Sequence, residues 1–540
     1  MHQLQTTTPP FQRLRSMLRL ESRELWVTVV YSASIGLISL AVPVAVQAVV
    51  NTVAFGTLLQ PLVVLTLLAF AALCFSVVLH AGRMWVVELI QRRVFVRLAG
   101  EVTSKLVHVS PAALQSHHGP ELVNRFLDVV TVQKAGASLL IDGLSVLMQS
   151  VIGMVLLAVY HPWLLAFDVL LLAAIGFILF PVGAGAVATS MKESGAKYAL
   201  VAWMEEVARH PLGFKTRAGE ALAIGRTNDL VVQYLGFRSA HFRILMRQVT
   251  GSFMLQAIAS SALLGVGGWL VIQRQLTLGQ LVAAEIVVAL VVSGFTKFGK
   301  HLESFYDLMA AVDKLGYLTD LPVERAGGAL LPKSGKPAEL RIAGIRIPAG
   351  ERVALTGQTG SGKSTLVDTF YGMAPADAQR VEIDGLDLRE IHLGDLRSQV
   401  ALVRMPEIFE GSVLENLRLG NEELPVLEAR RVLDAVGLLE RVTAFPKGLE
   451  TTLSTGGAPL SHGQRVQLEL ARAIAQQPRL LILDECLDRL DDLPQRRDLL
   501  DFLFRKDAPW TIVAVTQSAE IAERCGRQLN VREHIVSEVA

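Results

Sequence analysis

The chain has 540 residues, 51% of them apolar, with a formal net charge of +1 and a positive mean hydropathy. The length argues for more than one domain, and a charged fraction of 19% lies below the roughly 25% of soluble domains, so the composition is that of a membrane protein carrying a soluble part. The near-neutral balance provides no bulk attraction to nucleic acid, which is not expected as a partner; Cys74, Cys486 and Cys525 are odd in number and far apart, without metal-ligand spacing, and the last two suit a reducing compartment.

The first 23 residues are polar and basic, with Arg13, Arg15, Arg19 and Arg23, and the apolar run that follows is too long for a signal-peptide core. Apolar runs then lie near residues 25–53, 62–87, 139–160, 163–188, 251–272 and 281–295. A helix needs about 20 such residues to cross the hydrocarbon core, so about six spans are expected, the last one short unless it starts near Leu276. The connections at 51–61, 161–162 and 273–279 carry almost no charge. Two others, from Arg92 to about 138 and from Met191 to about 249, are long and basic, with Arg92, Arg93, Arg97, Lys105, Lys192, Lys197, Arg209 and Lys215. The positive-inside rule puts these stretches and both termini in the cytoplasm. They are too long for loops and read as spanning helices that continue past the bilayer; 15 further residues at ~1.5 Å each reach about 22 Å. Pro and Gly within 110–126 and 208–220 would turn such helices back.

Three acids lie inside or at the edge of apolar runs. Glu88 is expected to pair with Arg92 one turn on, whereas Asp168 and Glu285 leave both an aqueous cavity and a helix-packing role open. His117 and His118, in a polar stretch, read as solvated side chains rather than metal ligands.

A stretch rich in Pro, Gly and charge marks the change of pattern. Residues 1–322 are expected to form the transmembrane domain, 323–338 a linker and 339–540 a nucleotide-binding domain. "RVALTGQTGSGKST" (352–365) reads as strand, Gly-rich loop and helix start, the context that supports a P-loop. Gly357, Gln358, Thr359, Gly360, Ser361, Gly362, Lys363, Ser364 and Thr365 would wrap phosphates with backbone N–H groups at a helix N-terminus. Lys363 would reach the outer phosphates and Ser364 would hold Mg²⁺. "LLILDE" (480–485) is an apolar strand ending in two acids, with Asp484 placed for the Mg²⁺ shell and Glu485 placed to polarise an attacking water.

"LSHGQ" (460–464) followed by an amphipathic helix and that strand makes the chain resemble the ATP-binding cassette family, with His462 where the signature usually has glycine. "DRLDD" (488–492) looks like the loop after the second acidic motif, and "TTLSTGG" (451–457) sits where exporters place the segment that senses the membrane domain. The six-span front and the segments 39–53, 276–288 and 407–420 resemble half-transporters of the exporter class, nearest to type I secretion and bacteriocin exporters. This resemblance implies an all-α six-helix transmembrane domain followed by an α/β P-loop cassette, with ATP and Mg²⁺ as cofactors. It also implies a second half-transporter, identical or different, whose bound γ-phosphate Ser461, Gly463 and Gln464 would contact. The turns near 111–121 and 211–220 would couple cassette closure to the membrane. A bacterial-type inner membrane, a cytoplasmic cassette and a periplasmic adaptor as candidate partner complete the expectation. No peptidase-like segment precedes the first span, so leader cleavage is not expected.

Three family groups are replaced. Residues 318–369 contain no aromatic to stack on adenine, and the strand region 338–350 looks shortened. The family's glutamine after its third strand falls at Arg404 or Met405. The switch histidine after "TIVAVT" is Gln517, counted here with Lys363 and Glu485 among the catalytic candidates; glutamine can hydrogen-bond phosphate but cannot carry an imidazolium charge. These losses leave two readings: an ATP-driven exporter half, or a catalytically weak ATP-binding membrane partner or regulator of a second exporter half. The retained Glu485 favours the first. The cargo is not legible.

Overall fold

The computed structural model describes residues 8–55, 59–111, 113, 123–296, 298–373, 380–490, 495–532 and 535–538. His117, His118, Thr57 and most of the 111–121 turn lie outside them. The chain divides into two units, Met1–Val323 and Glu324–Ala540.

Among its described residues the first unit is helical apart from turns and the isolated bridge Val109–Val323. Among the described residues, five stretches are long and apolar enough to cross a membrane: Ser22–Thr52, Leu62–His108, Arg125–Tyr160, Pro162–Leu179 and Arg217–Ile272. The sixth expected run forms the helix Leu278–Thr296, whose described apolar part, Leu278–Val291, is shorter than a span. Helices Leu59–His108 and Arg217–Ile272 run for 50 and 56 residues. At ~1.5 Å per residue these are about 75 and 84 Å long, far more than the ~30 Å hydrocarbon core. The basic stretches are therefore continuations of spanning helices, as their length suggests.

Local chemistry sets the turns. His161 accepts a hydrogen bond from the Trp163 N–H (3.2 Å), and Pro162 opens the next helix, where a missing N–H costs nothing. At the other end of the unit Thr216 accepts from the Gly219 N–H (3.0 Å) and starts the 56-residue helix after the short turn Pro211–Phe214. Large apolar side chains such as Leu68, Phe70, Val77, Leu170 and Phe177 are more than half exposed on the spanning helices. An outward apolar surface of this extent is what a lipid solvent requires. The inward face packs Leu157, Leu164, Leu171, Leu263, Leu270 and Val288 into one core. Glu88 does pair with Arg92 (2.8 Å) on an exposed surface. Asp168 is only 3% exposed, and neither of its carboxylate oxygens has a hydrogen-bond partner among the described residues.

The second unit is α/β. Its strands are β1 (Leu340–Ile342), β2 (Ile345–Ile347), β3 (Arg352–Thr356), β4 (Val381–Ile383), β5 (Leu386–Asp387), β6 (Val400–Val403), β7 (Gly411–Ser412), β8 (Thr452–Leu453), β9 (Leu480–Asp484), β10 (Thr511–Val515), β11 (Arg527–Arg532) and β12 (Ile535–Glu538). The main sheet has the order β12-β11-β3-β10-β9-β6 and is parallel except for β12 at its edge. Strands β3, β9 and β10 are apolar runs with both faces covered, as parallel sheets require. A second, antiparallel sheet has the order β2-β1-β4-β5. The shortened strand region 338–350 becomes the three-residue pair β1–β2, closed by Ala343 (φ 48°) and Gly344 (φ 88°) in a two-residue hairpin turn.

The stretch expected as a linker folds onto this unit. Arg397 holds Glu324 through two 2.7 Å bonds, Leu331 is buried in the core, and Gln399 donates to the Leu331 carbonyl (3.0 Å).

Candidate nucleotide site

Strand order brings four loops together. β3, β10, β9 and β6 lie side by side and parallel, so the segments that leave their carboxyl ends open on one edge of the sheet. These segments begin at Gly357, Thr516, Glu485 and Arg404.

After β3 the chain makes a loop with Gly357, Gly360 and Gly362 at φ 146°, 83° and 102°, and the helix Lys363–Phe370 begins at once. Positive φ is open to glycine at little cost. A Cβ on Gly357 would also stand 2.4 Å from the Val531 carbonyl oxygen, so the position tolerates no side chain. Lys363 is buried and its Nζ donates to the carbonyls of Gly357 (2.8 Å) and Gln358 (3.0 Å), which curls the loop around the ammonium. Ser361 Oγ is buried with no hydrogen-bond partner among the described residues. An orphaned hydroxyl in a Gly-rich loop at a helix N-terminus is a polar group left for an anion such as a phosphate. Gln358, Thr359, Gly360, Ser364 and Thr365 are exposed on the open side of the loop. A cavity of about 560 Å³ lies against Gly357, Gln358, Thr359, Thr516 and Gln517.

Asp484 ends β9 and is 7% exposed. Its Oδ2 accepts from Arg404 Nε at 2.6 Å, and Arg404 Nη2 donates to Asp368 Oδ1 at 2.8 Å. Burial works against the Arg404 charge, but the two carboxylates outweigh it and hold the guanidinium above its usual range. Of the two residues after β6, Arg404 turns to the acids, while Met405 is half-exposed. Sequence reasoning missed Asp368. The available signal was its position four residues after Ser364, on the same face of the helix.

Glu485 follows in a left-handed conformation, φ 52°, with its N–H bonded to the Val515 carbonyl (2.9 Å). That conformation is uncommon for a side chain with a Cβ and is typical of functional positions. Glu485, Asp488, Arg489, Gln517 and Ser518 line a groove of about 490 Å³. Asp488 accepts from the Gln517 N–H (2.9 Å) and from the Thr516 hydroxyl, tying the loop after β9 to the loop after β10. Asp488 had been legible only as part of a loop motif; its role as tether is new.

Ser364 and Asp484 carry hard oxygen donors of the kind Mg²⁺ takes and would be its candidate ligands here. No group of three or more His, Cys, Asp or Glu among the described residues forms a metal site by itself. The phosphates of a nucleotide would have to complete the shell, which is how such sites work.

Ser461, Gly463 and Gln464 are not gathered into this site. Ser461 caps the helix His462–Ala475 in a reciprocal pair with Gln464 (2.9 and 3.3 Å), and these bonds do not reach the P-loop. Ser461 is exposed, so the helix N-terminus presents donors outward. Behind it Arg472 is buried and donates to the carbonyl of Asn416 (2.7 Å), the carbonyl of Glu407 (3.0 Å) and the carboxylate of Glu469 (3.0 Å).

Residues 340–488 match the family model described as ABC transporter. The chain is 26% identical over 84% of its length to the cyclolysin secretion/processing ATP-binding protein CyaB of Bordetella pertussis, covering 66% of that protein. It is 27% identical over 73% of its length to the ATP-dependent lipid A-core flippase of Xanthomonas campestris pv. campestris, covering 70% of that protein. The chain thus spans about two thirds of the length of these curated relatives. The structure of a bacterial Atm1-family ABC exporter with ATP bound superposes with a TM-score of 0.81 at 19% identity, over 96% of this chain and 95% of that one. Residues 340–488 thus form an ATP-binding cassette of the ABC transporter family, joined to a helical unit with several apolar helices of membrane-spanning length, and over most of its length the chain is similar to exporters of that family.

Proposed function

We propose that this chain is one half of a dimeric exporter that binds MgATP at its cassette, hydrolyses it and uses the cycle to move a substrate across the membrane. The observation that carries this reading is the convergence of the P-loop, Asp484, Glu485 and Gln517 on one sheet edge, in a chain whose other unit is built for lipid. The backbone of 357–365 and the ammonium of Lys363 bind the phosphates. Ser364 and Asp484 hold Mg²⁺, which neutralises charge on the phosphates when bound. Glu485 orients and deprotonates the attacking water, and Gln517 donates to the γ-phosphate from the opposite loop. Measured ATPase activity of the purified protein, alone and with any neighbouring exporter half, tests the reading.

The signature residues lie outside the site of their own chain, and this supports a second cassette as the one they serve. Cysteines at Ser361 and His462 should crosslink between chains, and the yield should rise with ATP. Crosslinks that form equally without nucleotide, or with no partner at all, would sink the sandwich arrangement. A periplasmic adaptor is a further candidate partner, on the resemblance to secretion exporters. The same observations serve a homodimer and a heterodimer.

The basic residues of the two long helical extensions support an inner-membrane protein with its cassette and both termini in the cytoplasm. Starting from a variant without Cys74, a cysteine at Arg274 should react with an impermeant reagent added to intact cells, and one at Lys215 should not. Labelling at Lys215 would reverse the topology.

A further inference from the structure

We infer that Arg404 is a built-in counter-ion for the metal carboxylate: it competes with Mg²⁺ for Asp484, so that metal loading requires the guanidinium to move away. The inference rests on the reading of Ser364 and Asp484 as the Mg²⁺ ligands. Among the described residues, the ion pairs of Asp484 are with Arg404 alone, at 2.6 Å. Lys363, a second cation of the site, spends its hydrogen bonds on the carbonyls of Gly357 and Gln358.

The geometry makes the competition direct. Asp368 lies one helical turn beyond Ser364 and takes the second arm of Arg404 at 2.8 Å. The guanidinium is therefore held between a carboxylate on the P-loop helix and the buried carboxylate at the end of β9. A divalent ion held by Asp484 would have to share that carboxylate with the guanidinium, and like charges at such range in a half-buried site repel strongly. A neutral amide in the same place would instead be compatible with the ion, since it offers an oxygen ligand. The guanidinium offers donors only.

Arg404 is also placed to leave. It is the first residue after β6, and residues 404–410 have no helix or strand. Further along, the Glu407 carbonyl is held by Arg472 of the signature helix (3.0 Å). Withdrawal of the guanidinium and the position of the signature helix are thus linked through three residues of chain. Asp484 would be released to the metal as this segment shifts, which makes metal loading sensitive to the same segment that contacts the signature helix.

The test uses the full chain in lipid nanodiscs, with Mn²⁺ as probe, read by electron paramagnetic resonance, and the non-hydrolysable nucleotide AMP-PNP. Nucleotide affinity in excess EDTA is measured separately. Arg404→Gln is expected to lower the Mn²⁺ concentration for half-saturation by about tenfold, through loss of the repelling charge. Metal-free AMP-PNP affinity should stay within about threefold, because the residue acts on the metal and not on the phosphate. Asp368→Asn should move Mn²⁺ half-saturation the other way, since Arg404 then rests wholly on Asp484, and that shift should vanish in the double variant. If Arg404→Gln leaves Mn²⁺ affinity unchanged or weaker while AMP-PNP still binds, the inference is wrong. A loss of metal-free nucleotide affinity in Arg404→Gln would make Arg404 a phosphate ligand, and would equally overturn it. If Arg404→Gln fails to fold, an unshifted Asp368→Asn decides against it. A folded wild-type chain that binds no AMP-PNP, with or without metal, removes the ATP reading itself, an outcome distinct from the others.

Discussion

Replacing Glu485 by Gln should lower the steady-state ATPase rate of the assembled transporter by about 10²–10³-fold while leaving ATP binding intact. Glutamine keeps the size of the side chain and can still accept a hydrogen bond from water, but it cannot take the proton. The rest of the site is untouched, because Glu485 is fixed by its backbone. Its N–H is bonded to Val515, and the strained φ of 52° is imposed by the turn out of β9 rather than by the carboxylate. With binding preserved and hydrolysis stopped, the two cassettes should remain closed on ATP, and the crosslink between Ser361 and His462 positions should become stable. An unchanged rate would mean that the working base lies in another chain, and the weak ATP-binding partner would then be the right description. Gln517→His, measured alongside, should raise turnover if the missing imidazolium limits it.

The second large effect is structural. Arg472→Met should destabilise the signature helix and the segment it holds by about 3–5 kcal/mol, the cost of removing one partner of a buried ionic network. Arg472 is 6% exposed and serves the Glu407 carbonyl, the Asn416 carbonyl and side chain, and the Glu469 carboxylate. Methionine fills much of the volume but satisfies none of them. Amide exchange across residues 407–418 and 462–475 should accelerate by about 10²-fold or more, while β3 and β10 keep their protection. Equal exchange in both proteins would show that the network is dispensable.

The same variant has a pH signature. Burial raises the Glu469 pKa above the usual 4.5; Arg472 pulls it down and Glu407 pushes it up. A carboxyl with a raised folded-state pKa favours the fold below 4.5 and loses that contribution as pH rises through the folded value. Without Arg472 the folded value rises further. The deficit of Arg472→Met should therefore be larger at pH 7 than at pH 5, and the reverse trend would contradict the assignment.

Much of this protein could be read from the sequence for a simple physical reason. Phosphate binding by consecutive N–H groups needs consecutive residues, so Gly357 to Thr365 announce themselves as a string. A spanning helix needs about 20 apolar residues in a row, so the membrane unit does the same. The positive φ values of Gly357, Gly360 and Gly362 are the reason glycine stands at each. In the linker stretch Pro, Gly and charge mark only a change of pattern, whereas the contacts of Leu331 and the Glu324–Arg397 pair show it held to the cassette. Composition records a chain's local freedom and not the contacts that remove it.

What the sequence by itself determined is therefore the set of local devices: the loop that can cradle phosphate, the strand that ends in two acids, the amphipathic helix after LSHGQ and the apolar helices with basic extensions. Only the tertiary structure decided which of them meet. The order β3-β10-β9-β6 is not the order of the chain, and it alone sets Gly357, Gln517, Glu485 and Arg404 on one edge. Asp368, Arg404 and Asp484 lie 36 and 80 residues apart in the chain yet share one guanidinium. A side-chain ion pair at such separation leaves no periodic or contiguous trace, because its partners are chosen by the packing of strands and not by the covalent neighbours of either residue.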